Sequence, residues 1–438
     1  MSEDIKKEIL KTVDKNREEI ISFVRELIRI PSVSGDEGKI QSAIAEKLER
    51  LGLQMDVSEI DLEKLSQHPG FVPLEEYRKS YKGRPDVVGT LKGSGGGRSL
   101  ILMGHVDTVA VQDRTLWKHD PFGAEIEDGK IYGRGAVDMK GGVAAQIMAV
   151  KCLLDSGVSP KGDVIVENVI EEEAGGNGAI ACAQRGYRAD AGIYPEPSGF
   201  DFIGVSNRGA QFFRITVTGM ASMIEGKWGM PNAIEKAIYI YKAVDDFSLL
   251  RQSEVKNLPV YDKLYKLDSR MLKKIPGPMT RIYTDNIVPT GICQINAYAP
   301  GPMASTFQKT CVMEGSLECL PSEDIQQIKK RFKDYVLRVA ESDPWLRENP
   351  PKIEWFGLWF EASQTDSNHP IVKTVQNNCQ HVVGKMPIPR GGGGSDLRCL
   401  VKYAHTPSVV FGGGTGGNAH GVDEYLNVDS LINSTKVL

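Results

Sequence analysis

Apolar residues recur at helical spacing near the start of the chain. Ile9, Val13, Ile20, Val24, Leu27 and Ile28 share one face and Pro31 closes the run, which predicts a helix across residues 5–30. Ile40, Ile44, Leu48 and Leu51 repeat the pattern, with Gly52 placed as a C-cap. Residues 60–84 are polar, rich in turn formers, and read as a surface excursion. Short uninterrupted apolar runs follow. Val87 to Leu91, Leu100 to Met103, Asp163 to Ile170, Ala191 to Tyr194 and Ser408 to Phe411 predict buried strands, and Val143 to Leu154 an apolar helix between them. This alternation predicts an α/β sheet with helices on both faces.

The middle of the chain has a different texture. Phe212 to Thr218 alternates as a half-buried strand and Asn232 to Phe247 is an amphipathic helix. Residues 251–290 are weakly periodic and rich in Lys, Pro and Tyr. Cys311 to Leu320 predicts a strand, Glu323 to Ala340 a helix, and Lys352 to Phe360 an aromatic strand. The expectation is a small α+β domain at 207–361, inserted into a larger one formed by 1–206 and 362–438. A chain of 438 residues is long enough for two cores.

Composition narrows the partners. The net charge is −4 with no basic block, which argues against nucleic acid and acidic membranes. Residues 1–29 are charged and helix-periodic, unlike a signal peptide, and no apolar run has membrane-spanning length. The seven cysteines are odd in number and form no Cys-x-x-Cys pair. They read as reduced thiols of a cytoplasmic protein, not as a disulfide framework or a thiolate zinc site. The glycine run 93–97 lacks the Lys-Ser/Thr of a phosphate loop.

The chemistry gathers at strand ends. His105 and Asp107 follow the Leu100 to Met103 run at i, i+2 spacing, so both side chains point to one face, where a carboxylate can fix an imidazole tautomer. Asp138 lies in a glycine-rich turn just before the Val143 to Leu154 helix. Glu171-Glu172-Glu173 ends another strand, where three carboxylates repel unless a cation or proton sits among them. Glu196 stands between two prolines, and His420 follows a strand and a glycine loop. His105, Asp138, Glu173, Glu196 and His420 form a hard N/O donor set suited to zinc, manganese or cobalt. Five donors exceed what one open zinc site needs, but serve two ions sharing a carboxylate. Glu172 or Glu171 is then placed to take a proton from water.

Several of these stretches together resemble one family. They are Gly104-His105-Val106-Asp107-Thr108-Val109, Trp117 with Asp120-Pro121-Phe122, Gly133 to Gly142, Glu171 to Gly176, Glu196-Pro197 and Ala419-His420. The family is the co-catalytic zinc group of acetylornithine deacetylase, succinyl-diaminopimelate desuccinylase, aminoacylase and the glutamate-releasing carboxypeptidases, and the resemblance runs from about residue 15 to 435. It implies a zinc-peptidase-like mixed sheet with an inserted lid domain that mediates homodimerisation. It implies two divalent ions, zinc foremost, with His105 and Glu196 on one, Glu173 and His420 on the other, and Asp138 bridging. It also implies that Asp107 orients His105 and that Glu172 is the general base.

The departures lie in the inserted domain. The family pattern Gly-x-x-x-His there reads Gly219 to Met223, followed by Asn232-Ala233-Ile234, so a thioether that cannot donate a hydrogen bond replaces a histidine. Three readings stand open: Met223 is an introduced substitution that slows turnover, another donor such as Asn232, Arg208 or a metal supports the oxyanion, or the chemistry builds no ordinary amide tetrahedral intermediate. Glu318 stands where the family often has an arginine for the substrate carboxylate, which favours a neutral or cationic group. Gly394 completes the candidate substrate contacts. The expected function is hydrolysis of a C–N amide bond in an N-acyl amino acid, short peptide or related small molecule. The alternatives are hydrolytic deamination of a small aromatic or carbamoyl compound, or a binding protein impaired at Met223.

Overall fold

The computed structural model describes residues 3–73, 80–267, 287–298 and 305–438. The chain divides into two compact units, one formed by Met1–Ser206 with Ser363–Leu438, the other by Asn207–Ala362.

The first unit is built on a nine-stranded mixed sheet. Its order is Gln54–Ser58, Asp86–Leu91, Val164–Val169, Leu100–His105, Ala191–Tyr194, Ser408–Gly412, Gly199–Asn207 and Ser363–Gln364, with Ile388–Gly392 also paired to Gly199–Asn207. Leu100–His105 runs parallel to both of its neighbours, and Ser408–Gly412 runs parallel to Ala191–Tyr194. Four consecutive strands therefore end at the same edge. Their side chains are mainly apolar and mostly buried, as expected for strands covered on both faces, with Glu167, Asn168, His105 and Ser408 as buried polar exceptions. A smaller sheet pairs Gly416–Gly417, Tyr425–Asn427, Lys130–Tyr132 and Glu125–Glu127.

One expectation for this unit changes and another gains detail. The predicted helix at 5–30 is two helices, Glu3–Lys15 and Arg17–Arg29. Asn16 separates them: its side-chain amide donates to the Thr12 carbonyl and to Asp155, and its carbonyl oxygen accepts from Lys151. A side chain that bonds the backbone of the preceding turn competes with helix continuation. The segment 60–84 is exposed over most of its described length, as expected, but it also sends side chains inward. Leu65, Val72, Tyr81 and Arg84 are buried. Residues 74–79 of that segment lie outside the described residues.

The second unit is an antiparallel four-stranded sheet in the order Thr290–Tyr298, Thr310–Cys319, Gly209–Thr218, Lys352–Phe360. Thr310–Cys319 alternates half-buried and buried along its length. Its inward residues Cys311, Met313 and Leu317 pack with Phe213, Ile215 and Val217 against Ile240, Val244 and Phe247 of Ala233–Val255 and Phe332 and Val336 of Ile325–Ala340. Phe213 and Phe332 meet at 4.7 Å between ring centroids. The strand Thr290–Tyr298 is an addition to the expected pattern. Its exposed Gln294, Ile295 and Asn296 give it little apolar periodicity to read, because it is a sheet edge. Residues 268–286 of the weakly periodic stretch before it lie outside the described residues.

Among the described residues, no helix is long and apolar enough to cross a membrane. All seven cysteines are free, and only Cys293 is exposed.

Candidate metal centre

The parallel strands place their ligands by ending together. His105 is the last residue of its strand; the Glu171 to Glu173 turn follows Val164–Val169, and Glu196 follows Ala191–Tyr194. Asp138 enters from the loop before the helix Gly141–Asp155. Gly142 in that helix lies against the Pro195 carbonyl, 2.0 Å from where a Cβ would stand, so a side chain there would push the Asp138 loop away from Glu196.

The five predicted ligands come together. His105 Nε2 lies 3.1 Å from Glu196 Oε1 and 3.4 Å from Asp138 Oδ1. His420 Nε2 lies 3.2 Å from Asp138 Oδ2 and 3.0 Å from Glu173 Oε1. Each oxygen of Asp138 thus faces one imidazole, with a second carboxylate beside each imidazole. One donor atom from each of His105, Asp138 and Glu173 falls within 4.8 Å of the others. His105 Nε2 and Glu173 Oε1 are buried and lack a hydrogen bond of good geometry among the described residues.

Asp107 faces both His105 and the glutamate turn. His105 Nδ1 meets the main-chain carbonyl of Asp107 at 3.0 Å, whereas the nearest carboxylate oxygen is 3.5 Å away. The carboxylate also accepts the N–H of Glu172 at 3.0 Å and of Glu173 at 3.2 Å, and the Ser34 hydroxyl at 2.7 Å. It fixes the backbone of the turn that carries the proposed base and a ligand.

Beneath that turn is an ionic network that no local motif announced. Buried Arg84 donates to both oxygens of Glu37, at 2.6 and 3.0 Å, and to Glu171 at 2.8 Å. The Tyr81 hydroxyl donates to the other Glu171 oxygen at 2.9 Å, and Asn177 donates to that hydroxyl. Glu171 has φ +64°, a left-handed conformation that costs energy for a residue with a side chain and is held by this network. Of the three adjacent glutamates, Glu171 is therefore committed to this network. Buried Asp396 packs against Gly176, which has φ +73° and on which a Cβ would meet Asp396 Oδ1 at 1.8 Å.

The electrostatics favour a cation. Burial pushes the Glu172 carboxyl well above the usual range, and Asp396, Glu196 and Glu173 push it the same way against His105. Burial and Asp138 raise Glu196 to about 7. His420 rises to about 10 through Asp138 and Glu173. Burial disfavours a charged His105, but Asp107, Asp138 and Glu196 outweigh it and raise its pKa. So many carboxylates around two imidazoles draw positive charge into the site, and two divalent ions fit that demand and the N/O donor set.

The remaining predicted residues lie elsewhere in the chain. Asn232 caps Ala233–Val255, its carbonyl oxygen accepting the Ile234 N–H at 2.9 Å. Arg208 and Glu318 pair at 2.6 Å, both largely buried, and Arg208 also donates to the Ile287 carbonyl. Met223 is 57% exposed and bridges to Thr306. Gly394 is exposed in the loop after Ile388–Gly392.

Comparison with known proteins gives consistent matches. Residues 101–438 match the description of peptidase family M20/M25/M40. The chain is 30% identical to N-formyl-4-amino-5-aminomethyl-2-methylpyrimidine deformylase of Bacillus subtilis, over 98% of this chain and 95% of that one. Among solved structures it resembles the M20 family metallo-carboxypeptidase Sso-CP2 from Sulfolobus solfataricus (TM-score 0.74, 18% identity, 96% and 97% of the two chains). It also resembles the Bacillus subtilis YXEP protein, a dinuclear metal binding peptidase from the M20 family (TM-score 0.60, 15% identity, 97% and 96%).

Proposed function

The chain belongs to peptidase family M20/M25/M40, and from that premise we propose that it is a two-metal amidohydrolase that removes a small acyl group, formyl foremost, from an amine of a small neutral molecule. The observation that carries this reading is Asp138, with one oxygen toward His105 and the other toward His420, and with Glu196 and Glu173 completing the two halves. His105 and Glu196 would hold one ion, Glu173 and His420 the other, and Asp138 would bridge them. Zinc is the foremost candidate, with manganese or cobalt as alternatives.

Two divalent ions bound there supply Lewis acidity, which acidifies water and polarises the scissile carbonyl. Glu172 accepts the proton of the attacking water and delivers it to the departing nitrogen, the double role a single positioned carboxylate can play. The Asp107 carboxylate holds the Glu172 and Glu173 amides, so base and ligand keep a fixed separation through the cycle. Met223 offers no hydrogen-bond donor to an oxyanion.

Formyl comes first because of the deformylase relative, whose similarity extends over nearly the whole chain. The Arg208–Glu318 pair supports a neutral substrate. Its guanidinium is already balanced by a carboxylate at 2.6 Å, which leaves no net positive charge there for an acidic substrate group. We also propose that the chain is a homodimer through the Asn207–Ala362 unit, which exposes Ile234, Ile238, Tyr239, Leu249 and Leu250 on one helix and Ile295 on an edge strand.

The test is turnover of N-formyl aminomethylpyrimidines beside N-acetyl amino acids, dipeptides, carbamoyl compounds and aromatic amines, before and after chelation and with zinc, manganese or cobalt restored. Formyl-amide cleavage that is lost on chelation and regained with metal supports the proposal. Activity indifferent to chelators, or a preference for substrates bearing an α-carboxylate, overturns it.

A further inference from the structure

Two of the five ligands, Asp138 and His420, sit on loops rather than at strand ends, and His420 is 52% exposed at its side chain. A bridging carboxylate tolerates little positional error, so something must fix these loops to one another. The small sheet joins the segments around them, pairing Lys130–Tyr132 with Tyr425–Asn427. The tighter connection is a buried ion pair. Arg134 Nη1 donates to Glu424 Oε2 at 2.6 Å, and both side chains are 1% exposed.

Glu424 stands four residues after His420, yet its carboxylate is used by the Asp138 loop. Oε2 also accepts the Gly135 N–H at 3.0 Å, and Oε1 accepts the N–H groups of Val137 at 3.0 Å and of Asp138 itself at 3.1 Å. With Arg134 this makes four donors, which fills a carboxylate's usual acceptor capacity. The Glu424 main-chain carbonyl takes a fifth, the Gly133 N–H at 2.9 Å. Arg134 closes the circuit: its Nη2 donates at 3.3 Å to the main-chain carbonyl of His420 and at 3.3 Å to that of Ala110. His420 has φ +62°, so its backbone is held in a conformation a free loop would leave.

We infer that Glu424 and Arg134 are positioning residues for the metal centre, a clamp that sets the bridging Asp138 against His420 and so governs affinity for divalent ions. The inference rests on the two-metal reading above. Groups that orient ligands in this way typically change metal affinity by about 10–100-fold when replaced. The two residues have separable parts. In Glu424→Gln, an NH2 faces two of the four donors, which disturbs Asp138 and with it both halves of the centre. In Arg134→Lys, the ammonium still pairs with Glu424 and leaves the amide cradle in place, but the fork that also reaches the His420 carbonyl is gone.

The experiment strips wild type, Glu424→Gln and Arg134→Lys of metal, then titrates each with Co2+. The visible absorbance of the bound ion, the equivalents retained after gel filtration, and the melting curve by circular dichroism are followed. Two retained equivalents are expected for wild type. Glu424→Gln should bind both at least ~10-fold more weakly, and Arg134→Lys should retain one and weaken the second by a similar factor, with an altered Co2+ spectrum in each folded variant. Wild-type affinity and spectrum in both variants would overturn the clamp alone. Loss of the folded state in both would assign the pair to holding the fold and would equally overturn it; if only Glu424→Gln unfolds, Arg134→Lys decides. A wild type that binds no Co2+ would remove the two-metal reading itself.

Discussion

The Asp107 carboxylate accepts the backbone N–H of Glu172 at 3.0 Å and that of Glu173 at 3.2 Å. One side chain at the end of the central strand thereby fixes the turn carrying the proposed base and one metal ligand. Asp107→Asn keeps the shape but turns an NH2 toward part of a ring of three donors: Glu172, Glu173 and Ser34. The expected result is a fall of about 10–100-fold in kcat with a smaller change in KM. Steady-state kinetics with metal content measured in parallel checks it.

Glu172→Gln should leave two equivalents of bound metal while lowering kcat by at least ~10²-fold, the usual contribution of a positioned base. Glu171→Gln should behave differently. Its carboxylate is committed to Arg84 and Tyr81, so its loss should appear first in stability. Denaturation midpoints set beside kcat for the two variants separate the roles; equal loss of kcat from both at unchanged stability would contradict the assignment.

Arg84 neutralises two buried carboxylates, Glu37 and Glu171. Arg84→Met leaves both without their cation, and breaking a buried pair in this way costs about 3–5 kcal/mol. Urea denaturation should show a loss of that size. Adding Glu37→Gln and Glu171→Gln to Arg84→Met should recover part of it, since no uncompensated charge then remains.

Glu167 is buried and lifted to about 8, chiefly by burial and then by nearby Asp86. The native state therefore holds a proton that the unfolded chain releases near pH 4.5. The stability linked to that proton is present in full below about 4.5, declines as pH rises, and is gone once pH passes about 8. Glu167→Gln carries no such penalty. Its melting temperature should exceed that of wild type by more at pH 8.5 than at pH 5, and a gap independent of pH would contradict the argument.

Leu249 is 69% exposed and Ile238 51% exposed on the long helix of the Asn207–Ala362 unit. If that face joins two copies, Ile238→Glu with Leu249→Glu should shift the mass measured by light scattering from dimer to monomer while leaving the circular dichroism spectrum unchanged. A wild type already monomeric at micromolar concentration would end the proposal.

The sequence by itself determined much of this protein. Parallel strands buried on both faces need continuous apolar runs, so Leu100 to Met103 and its neighbours were legible, and their carboxyl ends marked where His105, Glu173 and Glu196 would lie. Glycine-rich turns marked Asp138 and His420, and the family resemblance added how the five candidates divide between two ions. What only the tertiary structure decided were contacts between side chains distant in sequence. The Arg84 network lay in a segment that its polarity had consigned to the surface, because a polar residue buried by pairing looks like a solvated one until its partners are known. Glu171 and Glu173 are identical letters, told apart by Arg84 and by His420. Glu424 carries no local signal, since its donors lie 286 to 290 residues earlier. Periodicity encodes which face of an element is buried; hydrogen-bond and ion-pair partners are chosen only when separate loops are folded against one another.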